Sequence, residues 1–259
     1  MTTAKTIKLN NITIYIEDSV DTVGKKAADI FCQVLDNSPA GTYGFATGST
    51  PVCMYKELIA RYNNGTLDMS GIRAFNLDEY YPIEKSNDQS YEYFMSTNLF
   101  DHINVDPKNR DIPSGEAPDP AAECARYETA LRESKDFALQ ILGIGENGHI
   151  GFNEPADIFP ARTNYVTLAD STIAANARFF TSSDEVPKHA ITMGVGTIMM
   201  ARKILLIATG SRKSSIIADT LLGGITPAIS ASALQLHRDV VVVLDNDAAQ
   251  DLIAQLNRA

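Results

Sequence analysis

The sequence predicts an α/β fold with one mostly parallel β-sheet and helices on both of its faces. Three near-continuous apolar runs, at Phe137–Leu142, Ile204–Thr209 and Val240–Leu244, are typical of strands that are covered on both sides. Segments with helical spacing alternate with short strand-like segments, which is the pattern of a parallel sheet. No internal repeat or Pro/Ser-rich linker divides the 259 residues. We therefore expect a single domain over residues 1–259.

The individual elements follow from the spacing of apolar residues. Val20, Val23, Ala27, Ile30 and Val34 recur with helical periodicity, which predicts a helix over residues 20–35. In chain order, the expected strands are Asn11–Ile16, Thr42–Ala46, Arg73–Asn76, Phe137–Leu142, Ile204–Thr209 and Val240–Leu244. The expected helices are Val20–Leu35, Pro51–Tyr62, Tyr91–Phe100, Ala121–Glu133, Ser214–Leu222 and Asp247–Leu256. Ligands of such sheets bind beyond the carboxyl ends of the strands, so the loops after the strands should carry the chemistry.

The composition is that of an ordinary soluble globular protein, with 44% hydrophobic and 21% charged residues. Its net charge of -10 argues against sequence-independent binding of nucleic acid. No apolar run approaches the ~20 residues that cross a bilayer, and no secretory signal is visible between Met1 and Glu17. The three cysteines are widely spaced, which fits reduced thiols. We expect a cytoplasmic protein without nucleic-acid or membrane partners, and leave a homo-oligomer open.

The loop after Thr42–Ala46 is a candidate anion-binding site. It contains Gly48, Ser49 and Thr50, followed by Pro51. Pro51 suits the first helical position and Thr50 the N-cap, so unpaired backbone N–H groups would face the loop. Gly48 lets the backbone approach a ligand, and a helix start favours an anion. A plain capped turn has the same signature, so this loop alone does not define a site.

The segment after Arg73–Asn76 contains two adjacent carboxylates, Asp78 and Glu79. A carboxylate at the carboxyl end of a strand suits a general base in a pocket. By itself the segment favours an acidic turn in solvent, and only the other loops shift the balance to the catalytic interpretation.

Residues 142–155, which follow the strand Phe137–Leu142, read LGIGENGHIGFNEP and include the glycine spacing of a dinucleotide-binding loop. Asp170 even lies where the ribose-binding acid would be expected. A dinucleotide site also needs a helix that opens at the third glycine. Pro155 and Pro160 interrupt this segment, so we reject the dinucleotide interpretation.

The same loop presents Asn147, His149 and Glu154 among glycines. A histidine beside a carboxylate can form an oriented acid/base pair. Two cations complete the set, Arg178 in an apolar or small context and Lys213 at the junction between the strand Ile204–Thr209 and the next helix. Either could be a surface charge, or both could bind a phosphate beside Ser49 and Thr50.

Other chemistries lack their motifs. Ser49 has no GxSxG context, the four histidines show no HExxH pattern, and no GxxxxGK[ST] loop is present. We therefore expect neither a metal nor a cofactor. A base, an acid/base histidine and basic loops suggest proton-transfer chemistry on a phosphorylated metabolite.

These motifs resemble those of the glucosamine-6-phosphate deaminases. The resemblance is close to collinear from about Gly41 to Asp245, and the His149 loop carries it most specifically. The related phosphogluconolactonases share the glycine loops but lack the ending Phe152-Asn153-Glu154-Pro155. The matching segments are residues 44–51, 75–80, 90–91, 100–102, 123–128, 142–155, 176–180, 186–188 and 231–237.

The resemblance implies a Rossmann-like, doubly wound sheet and conversion of glucosamine 6-phosphate and water to fructose 6-phosphate and ammonia. It implies that His149 opens the sugar ring, that Glu154 orients and stabilises the imidazole, and that Asp78 moves the C2 proton to C1. The implied phosphate ligands are Gly48, Ser49, Thr50, Arg178 and Lys213.

The sequence departs from some members of the family, which have Asp where Asn147 stands; Asn147 would then position the histidine without adding charge. Some members also bind an N-acetylated effector through two basic residues, and the matching positions here hold Asn164 and Val166. We therefore expect no activation by that effector. The alternatives are a galactosamine-6-phosphate isomerase, a lactonase, or a sugar-phosphate-sensing module without turnover.

Overall fold

The structure is a computed structural model that describes residues 5–258, so residues 1–4 and 259 of the predicted domain lie outside the described residues. The strands are β1 (Lys5–Leu9), β2 (Ile12–Glu17), β3 (Thr42–Phe45), β4 (Arg73–Asn76), β5 (Asp78–Tyr81), β6 (Arg110–Asp111), β7 (Phe137–Leu142), β8 (Asn164–Thr167), β9 (His189–Thr192), β10 (Lys203–Ala208) and β11 (Val240–Asp245). The helices are α1 (Val20–Asn37), α2 (Val52–Asn63), α3 (Tyr91–Asn98), α4 (Pro120–Glu133), α5 (Asp170–Asn176), α6 (Val195–Ile198), α7 (Ser214–Leu222) and α8 (Gln250–Leu256).

The central sheet confirms the α/β prediction. Its eight strands run in the order β1-β2-β11-β10-β7-β3-β4-β6. All neighbours pair in parallel except the hairpin of β1 and β2. Every residue of β7 and β11 is buried, as their apolar runs predict. Because β3, β4, β7, β10 and β11 point the same way, the segments that follow them meet at one edge of the sheet.

Helices α1 and α2 pack against each other, and α1 also contacts β2, β10 and β11. The buried side of α1 includes Val23, Ala27, Ile30 and Val34, four of the five apolar residues that predict this helix, whereas Val20 at its first position is exposed. At the other end of the chain, α7 packs against α8. Among residues 5–258, no helix is both long and apolar enough to cross a membrane.

A second sheet was not predicted. Strands β5, β9 and β8 form a small antiparallel sheet in which Asp78 pairs with Thr192, and Thr192 with Asn164. Asp78 therefore begins a strand rather than lying in a loop, and only Leu77 separates β4 from β5. The strands of this sheet have four residues each and include polar residues, so their sequences carry no clear periodicity.

Several predicted boundaries also shift. The helix expected over 91–100 ends at Asn98, and the helix expected over 247–256 begins at Gln250. The predicted N-cap at Thr50 is wrong, because Pro51 takes the cap position and no side chain caps α2. The helical start is thus one residue later than the proline rule suggests.

Candidate active site

A cleft of about 970 Å³ lies at the carboxyl ends of the parallel strands. It brings together residues that are far apart in the sequence, as the position of the loops predicts. The predicted site residues that line it are Gly48, Ser49, Thr50, Asp78, Asn147, His149, Arg178 and Lys213. Glu154 is not among the residues that line the cleft, but its carboxylate contacts the ring of His149, which is.

His149 and Glu154 form the expected pair. Nδ1 of His149 lies 3.2 Å from Oε2 of Glu154. The same oxygen accepts a hydrogen bond of 2.7 Å from Nδ2 of Asn147, whose Oδ1 accepts the backbone N–H of His149 at 3.2 Å. Asn147 therefore holds the carboxylate and the histidine backbone at once. It adds no charge of its own beside Glu154.

Glu154 is kept ionised by its surroundings. Burial acts to raise the pKa of its carboxyl group, but hydrogen bonds from His149, Thr172 and Asn147, together with the charge of His149, lower the pKa to about 2. The carboxylate is thus available at any ordinary pH to orient the imidazole and to stabilise its protonated form.

The glycine loop around His149 is shaped by close packing. A Cβ atom on Gly145 would come within 2.4 Å of the His149 ring, so the imidazole can lie there only over a glycine. The loop is fixed from the small sheet, since Oγ1 of Thr192 accepts the N–H of Phe152 at 3.1 Å. Nδ2 of Asn153 donates to the backbone oxygens of Ile150 and Met193, both at 2.8 Å. Residues 143–163 contain no helix, which agrees with the rejection of a dinucleotide site.

Asp78 is buried at the floor of the cleft, with 5% of its surface exposed. Burial raises the pKa of its carboxyl group well above the ordinary value, and the neighbouring charge of Glu79 raises it further. A raised pKa makes a carboxylate a stronger base, which is what abstraction of a proton from carbon requires.

Glu79 has a different role from its neighbour. Its carboxylate accepts the N–H groups of Tyr80, Tyr91 and Glu92 at 2.8–2.9 Å, the last two at the start of α3. Burial raises the pKa of Glu79 to about 7 against these hydrogen bonds. The side chain thus ties β5, and with it Asp78, to the N-terminus of α3.

The other end of the cleft is basic. Lys213 lies half-buried in the turn between β10 and α7, and Arg178 follows α5. Burial lowers the pKa of Lys213, Glu146 opposes this, and the charges of Arg212 and Arg178 lower it further. Gly48 lines the same cleft and has a positive φ of 93°, which favours glycine. Crowded cations beside a helix start are the setting in which an anionic ligand is most favourable.

Among the residues of the cleft wall that the sequence did not predict are Thr172, Asn176 and Tyr91. Nδ2 of Asn176 donates to the Tyr80 hydroxyl at 2.8 Å, and the ring of Tyr91 lies parallel to that of Phe152 at 6.0 Å. Helix α5, which carries two of them, has an Ala-rich sequence without strong periodicity. Its cue in the sequence was the matching segment 176–180, which contains Asn176 and Arg178.

Fold and site together define an α/β protein whose cleft combines a buried carboxyl group, a histidine–carboxylate pair and a basic end suited to phosphate. The family described as glucosamine-6-phosphate isomerases/6-phosphogluconolactonase matches residues 17–242 of the chain. The chain belongs to this family.

Curated relatives match almost the whole chain. A glucosamine-6-phosphate deaminase from Clostridioides difficile (strain 630) is 48% identical over 90% of this chain and 93% of its own length. A protein of the same description from Clostridium novyi (strain NT) is 50% identical over 89% and 95%, respectively.

Solved structures agree with the fold. A monomeric glucosamine-6-phosphate deaminase superposes with a TM-score of 0.88 at 40% identity, covering 92% of this chain and 99% of that one. A 6-phosphogluconolactonase from Thermotoga maritima superposes with a TM-score of 0.70 at 19% identity, covering 91% and 100%. The second likeness shows the fold alone.

Proposed function

We propose that the chain converts glucosamine 6-phosphate and water to fructose 6-phosphate and ammonia. The observation that carries this proposal is the placement of buried Asp78 in one cleft with the His149–Glu154 pair and the cations Lys213 and Arg178. The relatives at about half identity carry the same description.

The first step opens the pyranose ring, because the C2 proton is acidic only beside a free C1 aldehyde. His149 accepts the proton of the anomeric hydroxyl and delivers it to the ring oxygen, so that the bond between C1 and the ring oxygen breaks and the C1 carbonyl forms. Glu154, with its low pKa, carries the counter-charge for the imidazolium during this transfer. Asn147 holds the pair in place through its two hydrogen bonds.

The second step moves a proton between carbons. Asp78 takes the proton from C2 while the substrate's ammonium group gives a proton to the C1 oxygen, which yields an enolamine. Asp78 then returns its proton to C1, which leaves a C1 hydroxyl and an iminium group at C2. Water adds to this carbon and ammonia leaves, so that the C2 ketone of fructose 6-phosphate remains. Burial raises the pKa of Asp78 and makes this abstraction easier than for a carboxylate in water.

The phosphate group anchors the open-chain sugar after ring opening. We assign it to the N–H groups of Gly48, Ser49 and Thr50 and to the side chains of Arg178 and Lys213, which line the same cleft. Holding one end of the flexible open-chain sugar keeps C1 and C2 near Asp78. The phosphate dianion also makes this substrate one that stays inside cells, which supports the cytoplasm as the location.

Release of ammonia from purified protein tests this function. Glucosamine 6-phosphate should give ammonia and fructose 6-phosphate in equal amounts. Galactosamine 6-phosphate, followed by ammonia release, and 6-phosphogluconolactone, followed by the acid that its hydrolysis releases above the rate without protein, serve as the two competing substrates at the same concentration. Turnover of either in preference to glucosamine 6-phosphate, or turnover of none, would contradict the proposal.

A further inference from the structure

Helix α5 contacts Glu154 through a buried hydroxyl group. Oγ1 of Thr172 donates a hydrogen bond to Oε1 of Glu154. Thr172 is the buried residue of this seven-residue helix, with 6% of its surface exposed. A threonine within a helix commonly turns its hydroxyl to the carbonyl one turn back, whereas this one is directed at a carboxylate of the candidate active site.

The two oxygens of Glu154 are thereby divided between partners. Oε2 faces Nδ1 of His149 and Nδ2 of Asn147, and Oε1 faces Thr172. A carboxylate that is held at both oxygens cannot turn about its Cγ–Cδ bond, so the distance between Oε2 and the imidazole is fixed. His149 and Asn147 alone contact a single oxygen and leave that rotation free.

The segment that contains α5 also reaches the basic residues of the cleft. This segment supplies one wall of the cleft, which includes Ser171, Thr172, Asn176 and Arg178. Asn176 fastens this wall to Tyr80, next to Glu79. A displacement of α5 would therefore move the hydroxyl that holds Glu154 and the guanidinium that we assign to the phosphate together.

We propose that Thr172 is a positioning residue for ring opening: its hydroxyl orients Glu154, and through Glu154 the imidazole of His149. This rests on the proposed function. It assigns to α5 a role in the chemical step in addition to its place in the cleft wall.

The test compares three variants with the wild type. Thr172→Val removes the hydroxyl and keeps the shape, and Thr172→Ser keeps the hydroxyl. Thr197→Val is the matched control, because Oγ1 of buried Thr197 also donates to a buried glutamate, Glu128, at 2.8 Å, and neither residue lines the cleft. For each protein, kcat and KM are measured with glucosamine 6-phosphate and with the substrate deuterated at C2.

We expect Thr172→Val to lower kcat about 10-fold, the order expected for a hydrogen bond to a charged group, with little change in KM. Slower ring opening makes C2–H cleavage less rate-limiting, so the isotope effect on kcat should fall toward one, or stay there if it is already one in the wild type. Thr172→Ser should have the kcat and the isotope effect of the wild type. Thr197→Val should lower the melting temperature without changing kcat or the isotope effect.

Three results would overturn the proposal. These are a wild-type kcat in Thr172→Val, an equal loss of kcat in Thr197→Val, and an isotope effect that grows in Thr172→Val, which would place the defect at C2. Absence of ammonia release from the wild type would instead count against the proposed function, so the two failures are distinguishable.

Discussion

The substitution Glu154→Gln removes one charge and leaves the size of the side chain unchanged. Glu154 interacts with its partners strongly enough to lower its pKa from 4.5 to about 2. A shift of that size corresponds to about 3 kcal/mol between the ionised and protonated forms. Because water in the cleft screens part of the interaction between the carboxylate and its partners, we expect neutralisation of Glu154 to remove about 1.5–3 kcal/mol of interaction free energy.

Two measurements follow from this figure. If Glu154 stabilises the imidazolium during ring opening, kcat should fall by about 10- to 150-fold, with KM within a few-fold of the wild type. The free energy of unfolding at pH 7 should fall by no more than about 3 kcal/mol. The folded pKa lies below the unfolded one, so this stabilisation is complete above pH 4.5 and is lost as the pH falls toward 2. The wild type and the variant should therefore converge in stability at acid pH.

The assay is continuous detection of ammonia at saturating glucosamine 6-phosphate, with chemical unfolding of the same preparations at several pH values. Glu128→Gln is the control, because Glu128 is also buried and accepts hydroxyl hydrogen bonds, here from Thr163 and Thr197 outside the cleft. It should lose stability and keep kcat. A wild-type kcat in Glu154→Gln, or the same loss of kcat in both variants, would refute the reasoning.

Three further predictions concern the substrate's phosphate group, the N-acetylated effector and metal ions. Lys213→Ala and Arg178→Ala should each raise KM for glucosamine 6-phosphate by up to about 100-fold, the order of a charge-assisted contact, and the rise should be larger for half-buried Lys213 than for exposed Arg178. Turnover of unphosphorylated glucosamine should stay unchanged, and equal losses on both substrates would disprove the phosphate assignment. Velocity should depend hyperbolically on glucosamine 6-phosphate with or without N-acetylglucosamine 6-phosphate, since Asn164 and Val166 carry no positive charge that could form an ion pair with a phosphate. A sigmoidal curve that the N-acetyl compound makes hyperbolic would contradict this. Activity should survive prolonged EDTA treatment, and loss that a divalent ion reverses would sink the expectation of a metal-free reaction.

The sequence predicted six of the eight strands of the central sheet, all but β1 and β6, and it predicted the cleft, because both depend on simple rules. Buried parallel strands such as Phe137–Leu142 need apolar residues on both faces, and the runs are visible without further context. Once the sheet is parallel, the segments after β3, β4, β7 and β10 must meet at one edge. The catalytic roles within that cleft stay predictions from the resemblance.

The small sheet and the role of α5 could not be predicted, for a different reason. Strands such as β8 are short and pair only because distant segments bring them together, so their residues carry no periodic signal. The hydrogen bond between Thr172 and Glu154 joins residues 18 positions apart through a turn-rich segment. The error at Thr50 is local, because Thr and Pro suit neighbouring cap positions almost equally.

The central claim is that Asp78 moves the proton from C2, and its most direct test is turnover by Asp78→Asn. Ammonia release is measured at saturating glucosamine 6-phosphate, and substrate binding is measured by calorimetry on the same preparation. Turnover should fall by about 100- to 10,000-fold, the usual contribution of a general base. The Kd of the variant for the substrate should stay close to the Kd that the wild type has before it converts the substrate. Turnover within a few-fold of the wild type would remove Asp78 from the mechanism.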